Sequence, residues 1–147
     1  MYKPEGCARG RIFAFHDFGG SWRTSWTWSP TSDAAISPSS GVVPSPRSVF
    51  WLRDLLPQEF PHCAIYSVGY GPQDAKFTRY GNFAQHFDQH LKSTPLDERA
   101  PTVFIAHGMG GNVLKRVLEE LEAECYTRTP QLDDLKRFIF LGVSTDV

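Results

Sequence analysis

Cysteine is scarce in this 147-residue chain. Its three copies, Cys7, Cys63 and Cys125, lie far apart, are odd in number and form no C-x-x-C pair. That pattern speaks against a disulfide framework and suits reduced, structural thiols in a cytosolic or similar compartment. Long apolar runs are missing as well. Nothing approaches the ~18–20 residues of a membrane span, and the opening MYKPEGCARG has no apolar core of the signal-peptide kind. Charge of one sign is not in excess: 15 Lys and Arg stand against 16 Asp and Glu, a formal net charge of -1. Nothing in that balance favours nucleic acid or an anionic membrane as a partner. No internal repeat is present. What remains is an ordinary composition for a soluble globular chain, 41% apolar and 21% charged, long enough for one domain and one core.

Four short apolar runs end in or near glycine, as buried strands entering loops do: RIFAFHDFGG (11–20), HCAIYSVGYG (62–71), PTVFIAHG (101–108) and RFIFLGV (137–143). Helical patterns lie between them. VFWLRDLLPQEF reads as a short helix with Phe50, Trp51, Leu52, Leu55 and Leu56 apolar, stopping at Pro57. YGNFAQHFDQHLKS spaces Phe83, Phe87 and Leu91 four apart and ends before Pro95. From Gly111 to about Arg128, an apolar stripe of Leu114, Val117, Leu118, Leu121 and Cys125 runs opposite Glu119, Glu120, Glu122 and Glu124. Residues 29–48, rich in Pro and Ser, are too weakly hydrophobic to offset their ordering entropy and read as a disordered insertion. Alternating strands and helices imply a mostly parallel sheet with right-handed crossovers, an α/β three-layer sandwich. Ligand chemistry then belongs beyond the C-terminal strand ends, where the turns at 17–20, 69–71 and 108–111 fall.

The stretch FIAHGMGGNVLKRVL (104–118) has the form of a serine-hydrolase nucleophile turn, G-x-S-x-G between a strand and a helix, but its five residues are Ala106, His107, Gly108, Met109 and Gly110. Together with FAFHDFGGS, TSWTW, FWLRDLLPQEFPHCAIYSVGYG and RFIFLGV, in that order, it resembles the N-terminal half of an α/β-hydrolase. The likeness is to the lipase-like serine esterases, similar to domains that open many fungal NLR-type receptors and to serine-active-site-containing proteins. The resemblance implies a truncated α/β-hydrolase fold in which these are the third to sixth strands, in spatial order 4-3-5-6. It also implies an oxyanion hole made by the backbone N–H of Met109 and one near Phe18.

Three departures from that family bear on function. The nucleophile position is Gly108, which has no side chain with which to attack. Asp17 follows His16 where the family usually has glycine, placing a carboxylate near the expected oxyanion hole. The sequence also stops at Val147, before the family's usual catalytic acid and histidine.

The other chemistry-bearing residues read more simply. His107 is either a substitute base or, the better reading, a residue turned from the pocket into hydrogen bonds. His16 fits equally a pocket wall or a structural hydrogen bond at the strand end. His86 and His90, four apart, match a metal-ligand spacing, but without H-E-x-x-H they read as a solvated face. Asp146 lies just past the fourth strand, where some hydrolases keep their acid; with no serine to support, it reads as solvated, and Ser144 is not on a turn of the nucleophile kind. Trp22, Trp26 and Trp28 offer either a partner-binding patch or, for Trp26, packing over the sheet. No cofactor or metal is expected. The expectation is a catalytically inactive hydrolase-like domain, cytoplasmic, serving binding or signalling toward a small acyl or lipid-like ligand or a protein. The alternative is an incomplete or altered piece of a serine ester hydrolase acting on lipid or acyl esters. The last strand's apolar edge adds an expectation of self-association.

Overall fold

Phe, Ile and Ala fill RIFAF so densely because both faces of that strand are covered. In the computed structural model, which describes residues 1–30, 47–71, 87, 89, 100–124 and 135–142, all six residues of β1 (Gly10–Phe15) are buried. β1 lies between β4 (Cys63–Val68) and β5 (Thr102–His107), and β6 (Leu135–Leu141) extends the sheet beyond β5. The order is β4-β1-β5-β6 and every pair is parallel, with Ile12 beside Ile65 on one side and Val103 on the other. The chain is therefore of the α/β class, with a parallel sheet whose central strand carries a near-continuous apolar run.

Side chains along each strand alternate between two cores. Phe13 and Phe15 face one side with Ala64, Tyr66, Phe104 and Ala106, and α3 (Gly110–Glu124) packs there through Val113, Leu114, Val117 and Leu121. Phe87, in helical conformation, joins that core and meets Phe13 edge-on at 5.0 Å. Of the expected stripe, Leu114, Val117 and Leu121 are buried, Leu118 is partly buried and Cys125 lies outside the described residues, while Arg116 pairs with Glu119 and Glu120 in water, where such bridges contribute little. Ile12, Ala14, Ile65 and Ile105 face the other side, beneath Trp26, Phe50 and Leu52. Trp26 is buried there, as packing over the sheet requires, whereas Trp28 and Trp22 are exposed.

The helix expected to stop at Pro57 is a correction. Two single-turn helices occur instead, α1 (Trp51–Asp54) and α2 (Leu56–Glu59), and Pro57 sits in the first turn of the second. The amide that proline lacks has no intrahelical partner in a first turn, so Pro57 opens a helix rather than ending one. Leu55, at the break, is exposed and does not join the core. A two-stranded antiparallel sheet not foreseen from the sequence, β2 (Thr27–Trp28) with β3 (Val49–Phe50), precedes α1. Its pairing, and a 2.9 Å contact between Ser29 Oγ and Ser48 Oγ, bring together the two ends of the Pro/Ser-rich stretch. Residues 31–46 themselves lie outside the described residues, as does most of the helix expected over 80–93.

The sheet's edges differ. Along the outer side of β4, Tyr2 exchanges both backbone hydrogen bonds with Ile65, at 2.8 and 3.0 Å. On β6, four successive apolar side chains, Phe138 to Leu141, are exposed.

Phe104, fully buried, stacks on Phe13 at 5.8 Å and on Phe138 at 5.6 Å. Phe104→Ala should cost ~3–5 kcal/mol of stability, a large share of the ~5–15 kcal/mol that a domain holds in reserve. Phe60→Ala, at an exposed position, should cost less than ~1 kcal/mol. Denaturant midpoints compare the two, and equal losses would contradict this core.

Candidate functional site

Because the sheet is parallel, the turns leaving β1, β4 and β5 lie on one rim, and specific contacts tie them together. His16, just past β1, stacks on Tyr70, just past β4, with ring centroids 4.1 Å apart and planes 8° from parallel. The Tyr70 hydroxyl donates to the His16 carbonyl. Trp22 packs over Gly69, and the Ser67 hydroxyl donates to the Trp22 carbonyl. The third turn, after β5, begins α3 so close to the end of β1 that a Cβ on Gly110 would meet the carbonyl oxygens of His16 and Phe15 at 2.5 and 2.6 Å. Only glycine fits there.

That docking brings the Asp17 carboxylate to the elbow, the sharp turn by which β5 passes into α3. Asp17 Oδ1 accepts two backbone hydrogen bonds of 2.7 Å, from Phe18 N–H and from Met109 N–H. These are the two amides to which the hydrolase resemblance assigns the oxyanion hole, and here a carboxylate of the chain itself is their acceptor. The Met109 amide, foremost, holds the Asp17 carboxyl below the ordinary aspartate range. Partial desolvation acts the other way, and the Phe18 amide adds to the lowering. Short bonds from amides to an anion are the strong kind, and a negative charge beside the first turn of a 15-residue helix is favoured by its dipole.

Gly108 is the counterpart of this arrangement. Its φ is +51°, a left-handed conformation that side-chain-bearing residues adopt only under strain. Its amide donates to the Leu141 carbonyl at 3.0 Å, and its carbonyl accepts from Gly111 at 3.2 Å as α3 begins. A Cβ at this position would overlap the Asp17 carboxylate, 2.6 Å from Oδ2 and closer still to Cγ and Oδ1. The space that any side chain at position 108 would need is filled by Asp17.

His16 is buried, and its ring is committed to structure. Nδ1 lies 2.8 Å from the Asp17 carbonyl, which can only accept, so Nδ1 carries the proton. Nε2 then accepts a long 3.5 Å bond from Tyr70 N–H. Of the two readings open for His16, the structural one describes its contacts. His107 corrects an expectation. Its buried Nδ1 has no hydrogen-bond partner among the described residues, and the ring, on the side of the sheet away from α3, meets Trp26 edge-on at 6.3 Å. The alternation of β5 points it into the Trp26 core, where the Trp26 indole N–H likewise has no partner among the described residues. Met109 and Phe18, whose amides bind the carboxylate, expose their side chains beside it.

Asp146, Ser144, His86, His90 and Cys125 lie outside the described residues. Among the described residues no cluster of three or more His, Cys, Asp or Glu could hold a metal ion, and no helix is long and apolar enough to cross a membrane. Sequence reasoning found Asp17 and both amides but not their union. The signal was the aspartate standing directly after His16, where the resemblance leads one to expect glycine.

The pH dependence of stability follows with a definite sign. The folded carboxyl titrates lower than the unfolded one, so its contribution is fully present above the unfolded value of about 3.9 and is lost as pH falls through the lower folded value. The stability gap between the parent protein and Asp17→Asn should therefore be widest near neutrality and narrow as the pH drops below about 4. Unfolding curves across that range measure it, and a gap independent of pH would show that the ionised carboxylate contributes nothing.

No family model matches the chain, and neither a curated protein nor a solved structure matches it, so function has to be argued from the site itself.

Proposed function

We propose that this chain is a catalytically inactive α/β-hydrolase-like domain, of the lipase or serine-esterase kind, that serves binding or signalling. One observation carries the reading: the Asp17 carboxylate accepts from both Phe18 and Met109 amides, over a glycine at the nucleophile position. Hydrolysis of an ester on this scaffold needs a nucleophile at the turn and free donors for the developing oxyanion. Gly108 supplies no nucleophile, and the donors already hold an anion. The observed order β4-β1-β5-β6 supports the reading, since it is the order that a hydrolase's third to sixth strands would take. Purified protein should neither react with a fluorophosphonate probe nor turn over short acyl esters, and Gly108→Ser should not gain turnover. Stoichiometric labelling of any serine, or esterase activity in that variant, would favour the alternative of an altered ester hydrolase.

Binding on this reading belongs to surfaces other than the closed elbow. β6 offers one, since Phe138, Ile139, Phe140 and Leu141 are 41–53% exposed on the outermost strand, and open apolar edges pair with other chains. The sedimentation coefficient of the protein should rise with concentration, and Phe140→Lys should suppress that rise. A parent that remains monomeric at high concentration would remove self-association from the proposal.

A further inference from the structure

We propose that Asp17 is a latch: one carboxylate oxygen fastens the loop after β1 across the elbow, in the space that any side chain at position 108 would occupy. This deepens the reading of the turn as an inactive hydrolase-like elbow, and rests on that reading for its inhibitory sense.

Three observations converge on the latch. Oδ1 joins two segments 92 residues apart in sequence, Asp17–Phe18 and Met109, through bonds of equal length. The loop it fastens has room beyond that contact: Gly19 has φ +80° with nothing within 4 Å of a Cβ there, Phe18 is exposed, and the turn itself is closed by Gly20 N–H donating to the Asp17 carbonyl at 3.0 Å. The overlap at Gly108 makes the closed loop and a side chain at 108 mutually exclusive. Latched, the carboxylate excludes any outside oxyanion from the Phe18 and Met109 amides. A side chain at 108 must displace it and free the loop.

The glycines provide an internal control. Gly19 and Gly108 both have positive φ, but a Cβ at Gly19 would meet nothing within 4 Å, whereas at Gly108 it meets the carboxylate. Gly19→Ala therefore reports backbone strain alone, and Gly108→Ala reports strain plus displacement of the latch. The test is a double-mutant cycle by denaturant unfolding. In the parent, Gly108→Ala should raise the unfolding constant about tenfold or more beyond the effect of Gly19→Ala. In an Asp17→Ala background that excess should vanish. Asp17→Asn, which keeps the volume but not the charge, should retain it. Hydrogen exchange at the Met109 amide should quicken in Asp17→Ala and in Gly108→Ala, but not in Gly19→Ala.

An excess that persists in Asp17→Ala would overturn the latch, as would a Met109 amide that exchanges equally fast in parent and variant. Should Asp17→Ala not fold, the Met109 exchange rates of the parent and Gly108→Ala decide the matter by themselves. Failure of the latch would leave the inactive-hydrolase reading standing, because that reading is tested by probe labelling. Serine labelling would in turn leave the measured coupling of positions 17 and 108 intact.

Discussion

The approach of one backbone to another, where α3 begins against the end of β1, is the constraint on which the rest of this site depends. At Gly110 there is no room for a Cβ between the helix start and the carbonyl oxygens of Phe15 and His16. β1 is the central strand, anchored on both sides by parallel neighbours and buried throughout, so it cannot yield. The helix must come to it, held by Val113, Leu114, Val117 and Leu121 on the sheet. Once α3 is seated there, the Met109 amide lies where the residue after His16 can reach it. A larger residue at 110 would move the helix away, and the contact between Asp17 and Met109 would be lost with it.

Seen from that constraint, the histidines and aromatics around the rim are supports rather than reagents. The stack of His16 on Tyr70 and the hydroxyl bond from Tyr70 to the His16 carbonyl fix the backbone immediately before Asp17. The Nδ1 proton of His16 and the amide of Gly20 converge on the Asp17 carbonyl. The main chain of Asp17 is thus held on one side by carbonyl acceptance and its side chain on the other by amide donation. A ring engaged in that way is poorly placed to serve as a base for a group at position 108.

Much of this was legible in the sequence, for reasons that differ from residue to residue. Runs such as RIFAF and TVFIAH are apolar on both faces because parallel strands in a layered fold are covered on both, so the class and the core strands could be read directly. The stripe Leu114, Val117, Leu121 is a local periodicity and survives folding unchanged. Pro57 misled because proline marks a boundary without saying on which side the helix lies; the answer depends on whether its missing amide falls in a first or a last turn. The pairing of β2 with β3 is two residues long and spans the Pro/Ser-rich stretch, too short for any alternation to show. The unpartnered Nδ1 of His107 is a tertiary fact, set by which core β5 turns it toward.

The site itself was half legible. Glycine at 108 and aspartate at 17 each read as the loss of a feature, a missing nucleophile and a spoiled oxyanion hole. Their geometry makes them one feature. An oxyanion hole is two amide donors with no fixed acceptor, a state that water or substrate must complete; leaving such donors without any partner would be costly. With Asp17 the chain supplies its own acceptor, and the amides it serves favour its ionised form, holding the carboxyl below the ordinary aspartate range. That carboxylate needs the volume above residue 108, and only glycine both leaves the volume empty and tolerates φ +51°. A serine at 108 would collide with the carboxylate, and a glycine at 17 would leave the two amides to the solvent. Each substitution by itself would be a defect, whereas the pair forms a closed, hydrogen-bonded and charge-complementary junction between the loop after β1 and the first turn of α3.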